Sequence, residues 1–150
     1  MAVAVAVPVV VQGTMNASAA KSRILVVDDE PSVLLTYRLL LEQKGYDVTA
    51  VLSAEDAIVE LQKKEFDLLL CDLSLEEQRT GFDVIEFGRK RVPALPAAML
   101  TGYATVETAE RAESAAIAVL FKPIDIEQFF STISVLLGDK VNGQAKTNGD

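Results

Sequence analysis

Histidine and tryptophan are absent from the 150 residues, and cysteine occurs once, at Cys71. A zinc site of the usual nitrogen and sulfur donors cannot be assembled from that inventory. Any metal here must be held by oxygen. A lone cysteine also excludes an internal disulfide, which fits a reducing compartment such as the cytoplasm. Cations are scarce beside acids: 14 Lys and Arg against 22 Asp and Glu give a net charge of −8. Residues 1–22 carry only Lys21 and residues 139–150 balance to zero, so the stretch between carries −9. That sign opposes the phosphate contacts of nucleic-acid binding and the surface of an anionic membrane.

Long apolar runs are missing as well. The opening "MAVAVAVPVVV", residues 1–11, is too short to span a bilayer and lacks the basic flank of a signal peptide. Residues 1–21 are expected to be an unstructured extension and residues 139–150, "DKVNGQAKTNGD", a polar frayed tail. The stretch 22–138 is the length of one ordinary domain, and half of the chain is apolar, enough for a core.

What is present alternates. "ILVV" (24–27), "YDVTAVL" (46–52), "FDLLLC" (66–71), "PAAML" (96–100) and "IAVLF" (117–121) read as strands. Between and after them, "SVLLTYRLLLEQKG", "SAEDAIVELQKKE", "FDVIEFGRKR", "TVETAERAES" and "IEQFFSTISVLLG" read as helices. Pro31 marks a helix start, Gly45 a helix stop, and Ser53 with Asp56 has capping-box spacing. Within "FDLLLC" the run "LLLC" is apolar throughout, as a strand covered on both faces must be. Five strands alternating with five helices predict an α/β, doubly wound parallel sheet. Ligands of such sheets gather beyond the carboxyl ends of the strands.

Those ends carry the polar chemistry. Asp28 and Asp29 follow the first strand, Asp72 the third, Thr101 the fourth, and Lys122 with Pro123 the fifth. Two unit charges about 4 Å apart interact by roughly 4 kcal/mol at an effective dielectric near 20. Three carboxylates in one pocket therefore need compensation. Lys122 cancels one charge, and a divalent cation cancels the remainder. With oxygen donors alone, Mg²⁺ retaining some waters fits best, ahead of Mn²⁺ or Ca²⁺. Such a site beside an ionised carboxylate suits phosphoryl transfer, with Asp72 as nucleophile and Lys122 and Thr101 holding phosphoryl oxygens. Singly, each residue has a plainer reading: Asp28 and Asp29 as a helix cap, Asp72 and Thr101 as turn residues, Lys122 as surface. The conjunction carries the argument.

"ILVVDDEPSV", "DLLLCDLSL", "AMLTGYA" and "LFKPID", in that order, resemble the receiver domain of two-component response regulators over about residues 22–138. The resemblance implies a CheY-like sheet of strand order 2-1-3-4-5. It implies that Asp72 accepts a phosphoryl group from a sensor histidine kinase or a histidine phosphotransfer protein. Asp28, Asp29, Asp72 and the backbone carbonyl of Ser74 would hold Mg²⁺, Thr101 would report the phosphoryl group, and Lys122 would bind it. The Lys122–Pro123 bond would be cis. Downstream proteins would dock on the face of helix four, strand five and helix five, where Glu107, Glu110 and Glu113 lie. The chain would then be a stand-alone signalling module, not an enzyme beyond the chemistry at Asp72.

The sequence departs from the family pattern in three respects. "LSLEEQRTG" lacks the usual Met-Pro and reaches Gly81 nine residues after Asp72. Val119 stands where the switch aromatic is expected. No output domain follows within these residues. Other functions fit less well. An aspartyl-phosphate phosphatase needs a second Asp two residues after its nucleophile, where this chain has Ser74. A flavodoxin needs a phosphate-accepting loop after strand one, where three acids would repel phosphate. A receiver-shaped scaffold that binds partners without phosphorylation remains the alternative, carried by Val119 and the altered loop.

Overall fold

The computed structural model describes residues 21–75 and 79–138; the expectations for residues 1–20 and 139–150, and part of the altered loop, lie outside them. Five parallel strands run β1 (Arg23–Val27), β2 (Asp47–Val51), β3 (Leu68–Asp72), β4 (Ala97–Thr101) and β5 (Ala118–Phe121). Five helices alternate with them: α1 (Pro31–Gln43), α2 (Ala54–Lys63), α3 (Gly81–Arg91), α4 (Val106–Ser114) and α5 (Ile126–Leu137). The sheet order is β2-β1-β3-β4-β5, as the resemblance implied.

The alternating side chains of each strand divide the core in two. Leu25, Val27, Leu69, Cys71, Ala97 and Met99 face one way, onto α2, α3 and Ala112 of α4. Ile24, Val26, Leu68, Leu70, Ala98 and Leu100 face the other, onto Leu34, Tyr37 and Leu41 of α1 and Phe129 and Ile133 of α5. The central strands β3 and β4 are buried along their whole length, whereas edge strand β2 is buried nowhere completely. This is why "LLLC" reads as a continuous apolar run and "DVTAV" does not. Each fully buried Leu or Ile contributes about 1.5–3 kcal/mol by leaving water.

Local signals fix the helix ends. Pro31 opens α1, where its missing N–H costs nothing. Ser53 accepts from the Asp56 N–H at the start of α2 (3.0 Å). At the start of α3, the Asp83 carboxylate accepts from the Thr80 N–H (2.8 Å), and the sequence Thr-Gly-Phe-Asp carried that signal. Gly45 sits at φ +95°, in the left-handed region where a side chain is strained.

Register then decides what meets at the carboxyl edge. Val27 pairs with Cys71, Asp72 with Leu100, and Thr101 with Phe121. Asp28 is thereby carried beside Asp72, and Lys122 emerges one residue past the end of β5. Asp72 and Thr101 are the last residues of their strands, one position earlier than the sequence pattern placed them. Both still hold sheet pairings there, so their backbones are fixed by the ladder.

Candidate functional site

Asp28 continues β1 by one bond: its N–H donates to the Val51 carbonyl (3.2 Å). The side chain is fully buried. One carboxylate oxygen accepts from the Glu30 N–H (2.9 Å) and the other from Lys122 Nζ (3.1 Å). Asp28 thus also steadies the turn into α1, but it does not cap the helix: the N-cap is Glu30, and no side chain caps α1. Asp29 is half-buried, with no hydrogen-bond or ion-pair partner for its carboxylate among the described residues. Asp72 is buried at 8 % exposure. It accepts from Lys122 Nζ and from the Ser74 N–H, both at 3.4 Å. Carboxylate oxygens of Asp28, Asp29 and Asp72 all lie within 4.8 Å of one another.

Lys122 comes from the edge strand β5 and reaches over β4 and β3 to Asp28 on the β1 side. Its backbone N–H is anchored to the Thr101 carbonyl (2.8 Å), and the Lys122–Pro123 bond is cis. One ammonium therefore serves two carboxylates and leaves the third unanswered. Burial pushes the Asp72 carboxyl above its ordinary value; Lys122 pulls it back, Asp28 adds to the rise, and the net is upward. For Lys122, burial works against the ammonium, but the bond to Asp28 and the Asp72 charge outweigh it, and its value rises. Burial first, and the Asp72 charge second, push the Cys71 thiol far up. That keeps it an inert core residue.

The donor set fits a hard divalent cation. All three clustered side chains are carboxylates, and together with Lys122 they carry two uncompensated negative charges. The loop after β3 begins beside the cluster, where the Ser74 N–H donates to the Asp72 carboxylate. A short bridge pairs Ser74 with Thr80, through Leu75 N–H to Arg79 carbonyl (3.1 Å) and Gly81 N–H to Leu73 carbonyl (3.0 Å). Those bonds flank Ser74 and leave its own carbonyl outside the ladder.

Two features were not read from the sequence. A Cβ on Gly81 would lie 2.7 Å from the Asp72 carbonyl and 3.1 Å from Cys71 Cβ. The sequence marks Gly81 only by its spacing, yet its missing side chain is what lets α3 start directly against the strand that carries Asp72. Thr101 stands at the edge but its hydroxyl is turned into its own loop, donating to the Tyr103 carbonyl (2.6 Å) and accepting from the Tyr103 N–H (3.1 Å). The fold therefore gathers Asp28, Asp29, Asp72 and Lys122, and holds Thr101 one strand away in a closed turn.

Comparison with known proteins agrees with this geometry. Residues 24–134 match the response regulator receiver domain family. The chain is 35% identical over 118 residues to the transcriptional regulatory protein ZraR of Salmonella typhimurium, covering 78% of this chain and 26% of that one. It is 38% identical over 109 residues to the alginate biosynthesis transcriptional regulatory protein AlgB of Pseudomonas aeruginosa, covering 72% of this chain and 24% of that one. It thus spans about a quarter of these curated relatives. Among solved structures, a CheY-like receiver domain protein from Methanospirillum hungatei superposes with a TM-score of 0.75 at 27% identity, covering 83% of this chain and all (100%) of that chain. A receiver protein from Sinorhizobium medicae gives 0.72 at 28% identity, covering 81% and 98%. With buried acids and a lysine at the strand ends, the sheet order and a family match across most of its length, the chain belongs to the response regulator receiver domain family of two-component systems.

Proposed function

We propose that this domain is a phosphorylation-controlled binding module in which Asp72 is the phosphoacceptor. The observation that carries the reading is the cluster itself: three carboxylates within 4.8 Å, two of them tied to one lysine. A buried excess of negative charge destabilises a fold unless a cation compensates it. Asp28, Asp29, Asp72 and the Ser74 carbonyl would hold Mg²⁺, which when bound supplies charge neutralisation for phosphoryl oxygens.

The protein's own part is positioning. An Asp72 carboxylate oxygen attacks the phosphorus of a phosphohistidine on a sensor kinase or phosphotransfer protein. The new O–P bond forms as the P–N bond breaks, and the imidazole leaves with the electron pair and takes a proton. Lys122 is placed to follow the charge from the carboxylate onto the phosphoryl oxygens. Asp28, held by two bonds, keeps Lys122 aimed. Thr101 meets the phosphoryl group by giving up its bonds to Tyr103, and that exchange is the signal. Val119 cannot supply an aromatic swing, so the turn 101–103 carries more of the change. Tyr103, Val106 and Phe121 are 76%, 74% and 55% exposed. They offer the apolar surface on which a downstream protein docks, beside the Glu107, Glu110 and Glu113 face.

The test is intact mass after incubation with acetyl phosphate, with Mg²⁺ and with chelator. One phosphoryl group should be gained only with Mg²⁺, and not by Asp72→Asn. No gain with acetyl phosphate or with any phosphohistidine donor would favour a receiver-shaped scaffold that binds constitutively.

A further inference from the structure

Away from the carboxyl edge, a cleft of about 450 Å³ opens between α3 and α4. That is within the range of pockets that hold small organic ligands. Its floor is apolar: Phe82 and Ile85 from α3, with Ala115 and Ile117 from the turn that leads into β5. Its rim is cationic, with Arg89, Lys90 and Arg111 against the single acid Glu86. The sign is opposite to that of the chain, which carries −8.

The rim groups are not equivalent. The Arg111 guanidinium lies over the Phe82 ring at 3.9 Å and pairs with Glu86 at 2.8 Å. Glu86 is thereby neutralised. Arg89 is committed to backbone, donating to the Leu95 carbonyl (2.9 Å), the Ala116 carbonyl (3.2 Å) and the Ala115 carbonyl. It builds the wall. Lys90 is exposed and makes no ion pair among the described residues. The one uncommitted charge at the mouth is therefore positive, and what lies beneath it is hydrocarbon.

We propose that the α3–α4 cleft is a binding site for an amphipathic organic anion that displaces Arg111 from the Phe82 ring and lays its apolar body on Phe82, Ile85 and Ile117, with its carboxylate or sulfonate at Lys90. The apolar floor offers nothing to a small hydrophilic anion such as free phosphate, and the rim repels a cation. Arg111 already shows how a planar group lies on Phe82. Phe82 directly follows Gly81, which abuts the Asp72 carbonyl, so an occupant that parts Arg111 from Phe82 acts one residue from the backbone packed against Asp72. That consequence rests on Asp72 as phosphoacceptor; the binding itself does not.

Binding is read with anilinonaphthalene sulfonate as probe, titrated into the unphosphorylated domain while backbone amide shifts are followed by NMR. The expected shifts fall on Phe82–Lys90 and Ala115–Ile117, with saturation at one probe per chain. Lys90→Glu, at an exposed position, should weaken the probe roughly tenfold through loss of one charge-assisted contact. Ala115→Leu fills the floor and should abolish the localised shifts. Affinity unchanged in both variants, or shifts centred on Tyr103 and Phe121 instead, would overturn the proposal. Because the assay needs no phosphoryl transfer, its failure is separable from failure of the phosphoacceptor reading.

Discussion

Replacing Asp29 by Asn should make the metal-free domain more stable and blind it to Mg²⁺. Asp29 shares the 4.8 Å cluster with Asp28 and Asp72, yet its carboxylate has no partner of its own among the described residues. At that separation two unit charges repel by about 1 kcal/mol at the dielectric constant of water and about 3.5 kcal/mol at an effective value near 20. Asp29 is partly exposed, which places its pairs near the lower figure. Two such repulsions, partly offset because Lys122 already neutralises Asp28 and Asp72 in part, leave a net cost of about 1 kcal/mol. For a domain of this size the variant should melt about 4 °C higher in chelator. With Mg²⁺ at a hundredfold excess over its Kd, the wild type should gain about 2.7 kcal/mol, and the variant much less for want of a ligand. Thermal unfolding followed by circular dichroism, in chelator and in Mg²⁺, reads both quantities. A lower melting temperature for Asp29→Asn in chelator, or an undiminished response to Mg²⁺, would refute the reasoning.

Other perturbations test neighbouring parts of the site. Gly81→Ala puts a Cβ 2.7 Å from the Asp72 carbonyl, so strand or helix must shift; a loss of about 1–3 kcal/mol with slower phosphorylation is expected, and urea unfolding equal to wild type would contradict it. Lys122→Met leaves Asp28 and Asp72 buried without their cation and should cost about 3 kcal/mol in chelator, a loss that Mg²⁺ partly restores; an unaltered denaturation midpoint sinks this. Burial chiefly, with Asp28 second among the raising influences, lifts the Asp72 carboxyl above its unfolded value. Folding is therefore penalised by its ionisation at neutral pH and relieved as pH falls through the folded value. In chelator, Asp72→Asn should be more stable than wild type at neutral pH, with the gap closing on acidification; a gap that widens has the wrong sign. Thr101→Ala removes both side-chain bonds to Tyr103 and should speed hydrogen exchange at the Tyr103 amide, which unchanged protection there would rule out.

Much of this architecture was legible because it rests on local rules. Strand runs, Pro31, Gly45 and the Ser53–Asp56 cap each act within a few residues, and each stands where the pattern put it. The acids and the lysine were legible because parallel strands deliver their ends to one edge whatever the details of packing. The rest depends on contacts between distant segments. That Lys122 divides itself between Asp28 and Asp72, 94 and 50 residues away, follows from register, which alternation alone does not set. The closeness of Gly81 to Asp72 follows from where α3 is pressed onto the sheet. The inward turn of the Thr101 hydroxyl depends on how one short loop closes. The cross-links of Arg89 and Arg111 between α3 and the α4 region join residues 6 to 27 positions apart and leave no local pattern in the sequence.

On the proposed function, Asp72 and no other acid of the cluster carries the phosphoryl group. The most direct measurement is borohydride reduction of the domain after Mg²⁺-dependent phosphorylation, followed by peptide mapping. An acyl phosphate is reduced at its own carbonyl carbon, so the site is converted to homoserine. Conversion at position 72 alone is the predicted result; conversion at Asp28 or Asp29, or none in protein that has gained a phosphoryl group, would contradict the account.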